Sequence, residues 1–518
     1  FHLRRYQGCG RKGAPLAWLF ERAAVWRDGR VGLSGRAGFH LRRYQGCGRK
    51  GAPLAWLFER AAVWRDGRVG LSGRAGFHLR RYQGCGRKGA PLAWPFERGV
   101  VWRDDGWVVF DVCGKVILSD ILTMQRSLYS QERIVESYTY HMPTRVVFGN
   151  GGFAQLGEFG RDYGRKPLIV TGKHSARNTG MLDRATAQFD EVAVFDEVEE
   201  NPNSTTCDRG AVLCREQQCD LVIALGGGSP MDAAKAIAGL ARNPGRCVDY
   251  YGRDRFTQGA LPIIAVPTTA GTGSEVTPYA VIINADENMK RTLAGNVLFP
   301  QLALLDPELT VSLPRSVTVA TGLDALSQAM EGMASVKATP VSDALALEAC
   351  RIVRANLPAA ADSPEDLDAR GAILHAACLS GMVIAQTGTT LVHGMGYYLT
   401  IEFGILHGMA NAFLLPSVFQ FNAQHIPERV AALAEALGHP AEATPEDAGE
   451  KIVDAVYDLF SELSVSAAAR DMGFDVARLD RMAAHVYSDA SRFKNQVGTP
   501  SLDDVQRFFK NACEGTIS

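Results

Sequence analysis

A short apolar segment that runs directly into three consecutive glycines constrains the fold of this chain more than any other feature. Residues 220–225 read DLVIAL, which is typical of a buried parallel strand, and residues 226–229 read GGGS. Residues 231–238 then have strong helical propensity. Glycines let the backbone approach a ligand closely, and the amides of a first helical turn favour negative charge. The sequence therefore predicts a turn that binds a pyrophosphate, while a tight connection without a ligand stays open as the alternative.

Further apolar segments alternate with helix-like spacers on both sides of this turn. They are residues 145–148, 166–172, 192–195, 263–267 and 302–305. Alternation of this kind predicts βαβ units and a Rossmann-like parallel-sheet domain. Ligands of open α/β sheets bind at the carboxyl ends of the strands, so the hydroxyl- and glycine-rich segment 268–275 is expected at the same edge as the glycine turn.

The second half of the chain has a different pattern. From Arg315 onward, alanine- and leucine-rich segments with helical spacing replace the strands. A chain of 518 residues is expected to form two or more domains. We predict an α/β dinucleotide-binding domain over residues 124–312 and an all-helical, metal-binding and catalytic domain over residues 313–518.

The first 123 residues are unlike the rest. Residues 1–38 recur letter for letter as residues 39–76, and a third copy begins at Phe77 and diverges from Pro95. Repeat proteins conserve buried positions and vary the others, so perfect identity indicates recent DNA duplication. The unit is rich in arginine and lacks an amphipathic period, so we predict an unstructured leader or a mis-assigned start before Met124. A basic arm that binds nucleic acid non-specifically is the alternative.

Composition narrows the class of protein. The formal net charge of -1 gives no whole-chain reason to expect nucleic acid as a partner. The 11 cysteines are dispersed without a CxxC pair, which favours free thiols in a reducing compartment. We find neither an apolar run of about 18 residues nor a secretory signal, so no membrane partner is expected. The prediction is a cytoplasmic protein.

A carboxylate and two histidines in the helical half form a candidate metal-binding set. Asp324 and Gln328 lie four positions apart on one predicted helix, so they share a face. His393 and His407 are each followed by a glycine, which allows close backbone packing around a buried site. A carboxylate, two imidazoles and one further oxygen can hold a divalent metal. A lone buried histidine is usually a core residue. The residues alone therefore leave open whether these histidines bind a metal or only pack in the core.

Five ordered motifs resemble those of the iron-containing (group III) alcohol dehydrogenases. They are residues 226–232, 267–275, 322–325, 393–394 and 407–408, and the resemblance extends from Pro143 to the C-terminus. Within that family, residues 171–173 and 386–390 resemble the 1,3-propanediol dehydrogenase-like and butanol dehydrogenase-like branches. The resemblance implies hydride transfer between a nicotinamide and a small primary alcohol, diol or aldehyde. It also implies a homodimer.

The resemblance further implies a metal held by one aspartate and three histidines, with Fe²⁺ expected and Zn²⁺ as the alternative. Asp324, His393 and His407 match three of those positions. Gln328 stands at the fourth, where the family has histidine, and its amide oxygen is a weaker donor than imidazole. Tyr397 stands where relatives carry another histidine, and we expect it to shape the substrate pocket or to pass a proton to solvent.

Cofactor positions are likewise implied by the resemblance. It places Gly227, Gly228 and Ser229 at the pyrophosphate, and Thr268, Thr269 and Thr272 on the nicotinamide side. Asn201 and Lys290 are placed on the ribose and adenosine side. Asp232 is the carboxylate of the phosphate loop, and Gly172 and Lys173 are the positions that set cofactor selectivity.

The residue at position 172 favours NADP over NAD. NAD-preferring members often carry an aspartate there, whose carboxylate bonds the ribose 2′-hydroxyl and repels a 2′-phosphate. Gly172 leaves room for that phosphate, and Lys173, His174 and Arg177 supply positive charge nearby.

The function expected from these residues is that of a metal-dependent NAD(P) alcohol dehydrogenase or aldehyde reductase. Two alternatives remain. One is a metal-free reductase similar to maleylacetate reductases, because loss of a ligand is how metal dependence would disappear. The other is a degenerate homologue that binds nucleotide without turnover.

Overall fold

The computed structural model describes residues 137–287 and 289–517 in full and, before them, the backbone of four short strands. Those strands form two antiparallel pairs, β1 (Trp64–Arg65) with β2 (Arg68–Val69) and β3 (Arg98–Arg103) with β4 (Gly106–Asp111). The chain divides into two compact units, Phe1–Arg126 and Ser127–Ser518. Most of the predicted leader, residues 1–123, lies outside the described residues, so its lack of structure stays a prediction.

Two sheets form in the second unit. Their strands are β5 (Arg145–Phe148), β6 (Pro167–Gly172), β7 (Ala193–Val198), β8 (Leu221–Gly226), β9 (Gly252–Arg253), β10 (Ile263–Pro267), β11 (Tyr279–Asn284), β12 (Met289–Ala294) and β13 (Leu302–Leu305). Six of them make a parallel sheet in the order β5-β13-β10-β8-β6-β7. The predicted parallel α/β fold, with a helical half after it, is confirmed.

Burial on both faces explains why the central strands read as continuous apolar runs. Leu168 and Val170 of β6 point into one apolar cluster, and Ile169 between them points into another. Successive side chains of a strand face opposite sides, so helices that cover both faces require every position to be apolar. The sequence pattern was therefore strong where the sheet is most deeply buried.

A smaller sheet of three strands was not predicted. β11 and β12 form an antiparallel hairpin, and β9 pairs with β12 in parallel. Half of the side chains of β12 are exposed, so this strand lacks the continuous apolar pattern that identifies a buried one. The buried ammonium of Lys235 donates to the backbone oxygen of Tyr279 at 2.8 Å, which ties β11 to the helix after the glycine turn.

Helices account for the remainder of the architecture. They are α1 (Leu156–Gly160), α2 (Ser175–Asn178), α3 (Met181–Thr186), α4 (Ser204–Glu216), α5 (Gly228–Arg242), α6 (Arg315–Met333), α7 (Pro340–Asp362), α8 (Leu367–Thr387), α9 (Leu391–Phe403), α10 (His407–Ala412), α11 (Leu415–Ala423), α12 (Pro427–Ala436), α13 (Pro445–Glu462), α14 (Leu479–Ser488) and α15 (Leu502–Glu514). Single 3₁₀ turns lie at Gly152–Gln155, Cys247–Tyr250, Ser274–Val276, Asn296–Leu298, Pro307–Thr310, Ala469–Met472, Val476–Arg478 and Ala490–Phe493.

The helical half packs around one large apolar core. Helix α6 is central to it, and a Cβ at Gly322 would lie 2.3 Å from Leu357 Cδ1 of α7, so glycine permits the close contact. Asp366 caps α8 by accepting from the amides of Asp368 and Ala369. By length and composition alone, helix α8 could cross a membrane. However, 72% of its most apolar 18-residue stretch is buried inside the protein. Its composition is therefore that of a core helix.

The change from strands to helices falls where the sequence predicted it. The last strand ends at Leu305 and α6 begins at Arg315. Residues 127–518 form one compact unit, so the division at residues 312 and 313 stays a prediction about domains.

Candidate functional site

Three side chains from three helices converge on one point of the helical half. Asp324 lies on α6, His393 on α9, and His407 begins α10. Asp324 Oδ1 is 3.4 Å from His393 Nε2 and 4.0 Å from His407 Nε2. One ligand atom from each of the three lies within 4.8 Å of the other two. This spacing fits a single divalent ion, and one carboxylate with two imidazoles suits iron or zinc.

Glycines bring the helices of this cluster into close contact. A Cβ at Gly408, next to His407, would lie 1.8 Å from the backbone oxygen of Ala320 on α6. A Cβ at Gly394, next to His393, would instead lie 3.3 Å from the side chain of Arg492. The expectation that both glycines allow backbone packing therefore holds in full only at Gly408.

A residue without a predicted role, Glu331, contacts His393 from behind. Its Oε2 pairs with His393 Nδ1, and its Oε1 accepts from the amides of His393 at 3.2 Å and Thr390 at 2.8 Å. The Thr390 hydroxyl also donates to Oε1 at 2.8 Å. The carboxylate is fully buried, so it fixes both the tautomer of the ring and the start of α9. Asp324, Gln328 and Glu331 share one helix face, which was the sequence signal for this residue.

Asn411 is a second contact that the sequence did not indicate. Its amide nitrogen donates to Asp324 Oδ1 at 3.0 Å and lies 3.3 Å from His407 Nε2. A Cβ at Gly396 would lie 2.1 Å from Asn411 Oδ1, so glycine at 396 leaves room for the amide. Asn411 follows His407 by one helical turn, so it is expected on the same face of α10.

Gln328 lies in the same cluster and is directed by two hydrogen bonds. Its Nε2 donates to Asp324 Oδ2 at 3.1 Å, and its Oε1 accepts from the hydroxyl of Ser380 at 3.2 Å. The amide is buried. Its membership of the metal shell stays a prediction.

The charges of the cluster follow from burial and mutual attraction. Burial opposes the charged form of His393, but Glu331 and Asp324 outweigh it and raise its pKa to about 10. Burial also opposes ionisation of Asp324, yet His393, His407 and Asn411 together lower its pKa. Desolvation lowers the pKa of His407 against the attraction of Asp324, and the charge of His393 adds to the lowering. The neighbouring histidines and Asn411 therefore favour a carboxylate at Asp324, whereas desolvation favours a neutral ring at His407.

The glycine turn is built as the sequence predicted. β8 ends at Gly226, and α5 begins at Gly228, so the free amides of its first turn lie at the carboxyl end of the sheet. A Cβ at Gly227 would lie 3.1 Å from Thr269, and one at Gly228 would lie 2.8 Å from Thr272. The amide of Thr268 donates to the backbone oxygen of Gly226 at 3.0 Å. These contacts bring the two predicted cofactor segments together.

The selectivity positions lie beside this turn. A Cβ at Gly172 would lie 3.9 Å from Pro230 and 3.7 Å from the backbone oxygen of Val198, so a side chain fits there. Asn201 adopts a left-handed backbone conformation, with φ of 56°, and its amide donates to Ser229 Oγ at 3.1 Å. Lys173 is exposed. Asn201, predicted at the ribose, and Ser229, predicted at the pyrophosphate, are thus neighbours, whereas Lys290 contacts Tyr397.

Two predicted cofactor residues have other partners. Asp232 accepts from the hydroxyl of Ser274 at 2.8 Å and from the amide of Val281 at 2.9 Å, so both of its oxygens already bond the protein. Arg177 forms an ion pair with Asp196, which reduces the positive charge expected near Gly172. The cofactor role of Asp232 stays a prediction.

Tyr397 and Lys290 lie against each other near the histidines. The Lys290 ammonium is 5.2 Å from the centre of the Tyr397 ring, and its amide donates to the phenol oxygen at 3.4 Å. Arg492 covers the same ring at 5.8 Å. Burial lowers the pKa of Lys290 against the opposing charges of Asp232, Glu200 and Asp324. Carboxylates of α5 (Asp232) and of the candidate metal cluster (Asp324) thus both act on the charge of Lys290.

Comparison with known proteins agrees with this geometry. The model for "Iron-containing alcohol dehydrogenase" matches residues 143–307, and that for "Fe-containing alcohol dehydrogenase family, C-terminal" matches residues 318–513. The 1,3-propanediol dehydrogenase of Klebsiella pneumoniae is 35% identical over 365 residues, which are 69% of this chain and 94% of that protein. The NAD-dependent methanol dehydrogenase of Bacillus methanolicus is 31% identical over 379 residues, which are 72% and 99%. A crystal structure of 1,3-propanediol oxidoreductase has a TM-score of 0.70 at 33% identity and covers 73% of this chain and 100% of its own.

Proposed function

This chain belongs to the iron-containing alcohol dehydrogenase family, and from that premise we propose that it is a metal-dependent NAD(P) alcohol dehydrogenase or aldehyde reductase. Its substrates would be small primary alcohols, diols or the corresponding aldehydes. The observation that carries the proposal is the convergence of Asp324, His393 and His407 on one point of the helical half, in a chain whose glycine turn opens α5. Relatives named for methanol and 1,3-propanediol support the substrate class.

The donor set fits the metal that the family implies. Asp324, His393 and His407 would hold Fe²⁺ or Zn²⁺, and Glu331 fixes the ring of His393 for that purpose. A metal held there supplies Lewis acidity toward the substrate oxygen, and a bound nicotinamide supplies or accepts the hydride.

The other side chains bind, orient and move protons. The amides at the start of α5 would bind the pyrophosphate, with Ser229 and Asn201 beside them. Tyr397 is partly exposed and one helical turn from His393, so its phenol would pass a proton between the reacting oxygen and solvent.

We propose NADP as the preferred cofactor. Gly172 has space for a 2′-phosphate, and Lys173 supplies an exposed positive charge next to it. The pairing of Arg177 with Asp196 works against this preference. One relative is named as NAD-dependent, so the comparison of the two cofactors is the direct measurement.

A metal-free reductase is the second candidate, and Gln328 is the observation that favours it. Its amide nitrogen, which cannot bind a cation, faces the Asp324 carboxylate where the family has a histidine ligand. Metal analysis of the purified protein comes first. Oxidation of NADPH with a panel of short aldehydes, measured with added iron, zinc or chelator, then distinguishes the metal-dependent from the metal-free function. Full activity of protein freed of metal would reject the metal-dependent function.

The homodimer and the cytoplasmic location stay predictions. Light scattering coupled to size-exclusion chromatography tests the first, and localisation of a tagged chain tests the second.

A further inference from the structure

Gln328 and the two histidines contact opposite oxygens of Asp324. The Gln328 amide nitrogen donates to Oδ2 at 3.1 Å. His393 Nε2 and His407 Nε2 lie 3.4 Å and 4.0 Å from Oδ1. Asn411 also donates to Oδ1, at 3.0 Å. The candidate ligand atoms therefore gather at one oxygen, and the glutamine holds the other.

The hydrogen bonds around Gln328 determine the direction of its amide. Ser380 Oγ lies 3.2 Å from Gln328 Oε1 and 2.9 Å from the backbone oxygen of Ala377. With one hydroxyl hydrogen, Ser380 can bond either orientation of the amide, as a donor to oxygen or as an acceptor from nitrogen. Asp324 accepts only, so a reversed amide would place Oε1 against Oδ2 with no hydrogen between them. The carboxylate therefore selects the orientation in which Nε2 faces it.

We propose that Gln328 is a positioning residue that turns Oδ1 of Asp324 toward the histidines, and that the metal site has three protein ligands, Asp324, His393 and His407. This inference rests on the proposed metal-dependent function. Gln328 thus acts as a hydrogen-bond donor to a ligand, in contrast to the family's histidine, which is itself a ligand. Three protein ligands with open positions are typical of catalytic zinc sites.

Cobalt(II) provides a test that does not depend on turnover. Its visible absorption bands report coordination number and donor type, so loss of a ligand changes them. The protein is freed of metal, titrated with Co²⁺ alone, and compared with the Gln328→Leu variant, which has similar volume and no amide. We expect the same band positions and intensities in both proteins. The affinity for Co²⁺, measured by competition with a chelator, should fall about tenfold, as for other residues that orient a ligand.

Ser327→Ala is the matched control. Its hydroxyl is buried on the same helix and donates to the backbone oxygen of Leu323 at 2.7 Å. It makes no hydrogen bond to the cluster, so both spectrum and affinity should match the wild type. If Gln328→Leu does not fold, Gln328→Asn gives the same comparison, because it keeps the amide but shortens its reach.

Two different outcomes would overturn the inference. Spectra that change in Gln328→Leu or Gln328→Asn, as expected when one oxygen donor is lost, would make the glutamine a ligand while leaving the metal-dependent function intact. An unchanged affinity would show that the amide does not position Asp324. Failure of the wild-type protein to bind Co²⁺ would instead reject the proposed metal-dependent function, and this inference with it.

Discussion

Glu331 and His393 form a buried carboxylate–imidazole pair in which the carboxylate holds Nδ1 and leaves Nε2 directed at Asp324. The same carboxylate accepts from the first amides of α9, so the helix that carries His393 begins at the group that orients its ring. The direction of the ring and the position of the helix are therefore set together.

Glu331→Gln should lower metal affinity by about 10- to 100-fold, because an amide holds the tautomer and angle of His393 less well than a carboxylate. Chelator competition with the purified protein measures this. Thr390→Val is the control, because it removes one hydrogen bond to Glu331 and keeps the carboxylate. Equal affinities for wild type and Glu331→Gln would show that the contact does not orient the ligand.

Gln328→His should tighten metal binding and make activity more resistant to chelator, because imidazole is the better donor to iron or zinc. Asp324→Ala or His407→Ala should have the opposite effect and remove most turnover, by about 100-fold or more in kcat/KM, because each deletes a ligand. Metal content and steady-state rates are measured on the same preparations. If chelation leaves the wild type fully active and Gln328→His changes neither quantity, the metal-free function replaces the metal-dependent one.

Gly172→Asp should shift the cofactor preference toward NAD. The position has room for a side chain, and a carboxylate there would repel a 2′-phosphate by about 1 to 3 kcal/mol, or roughly 10- to 100-fold. The ratio of kcat/KM for NADPH and NADH measures the shift. Gly172→Asn has the same size without the charge and should shift the ratio less. An unchanged ratio in Gly172→Asp would place position 172 away from the ribose.

Glu275→Gln should become more stable relative to the wild type as the pH rises from about 5 to 8. Burial raises the Glu275 pKa to about 7 from 4.5, and its Oε1 has no hydrogen-bond partner among the described residues. Between those values the folded protein binds more protons than the unfolded chain, so stability falls as the pH rises through this window. At about 1.4 kcal/mol per pH unit, the cost above pH 7 is about 3 kcal/mol.

Urea unfolding of the wild type and of Glu275→Gln at several pH values measures that difference. Ser327→Ala, a buried polar substitution in the helical half without a titratable group, should give a difference from the wild type that does not vary with pH. A constant difference for Glu275→Gln would show that Glu275 does not titrate in this range.

Removal of residues 1–123 should leave folding and activity unchanged. All five motifs lie after Pro143, and Ser127–Ser518 forms a compact unit of its own. Circular dichroism and kcat/KM of the shortened and full chains provide the comparison. Loss of either property would mean that the repeats contribute to the working protein.

The sequence predicted the parallel sheet because a strand buried on both faces, such as β8, is apolar at every position. It did not predict β12, because half of the side chains of that strand are exposed and the strand is held by its pairing with β11. The motif residues predicted the cluster of Asp324, His393 and His407, which come from three helices. Helical periodicity could also have identified Glu331, because it lies on the same helix face as Asp324.

The remaining contacts depend on distant packing. Ser380 meets Gln328 from a position 52 residues away, and Lys290 meets Tyr397 from 107 residues away. No local spacing relates such positions, since they are set by how helices and sheets pack. The orientation of the Gln328 amide therefore required the structure, although the identity of the residue was readable at once.

The backbone contact between Gly408 and Ala320 sets the spacing of the side chains in the cluster. A single methyl group at position 408 would meet the carbonyl oxygen of Ala320 at 1.8 Å, so α10 would have to retreat from α6 and carry His407 with it. Side-chain rotation cannot restore the lost approach, because the obstacle is backbone on both sides. The distance between Asp324 and His407 is thus set by how closely α6 and α10 pack. If the proposed metal binds there, the packing of the two helices therefore fixes the span that it must bridge.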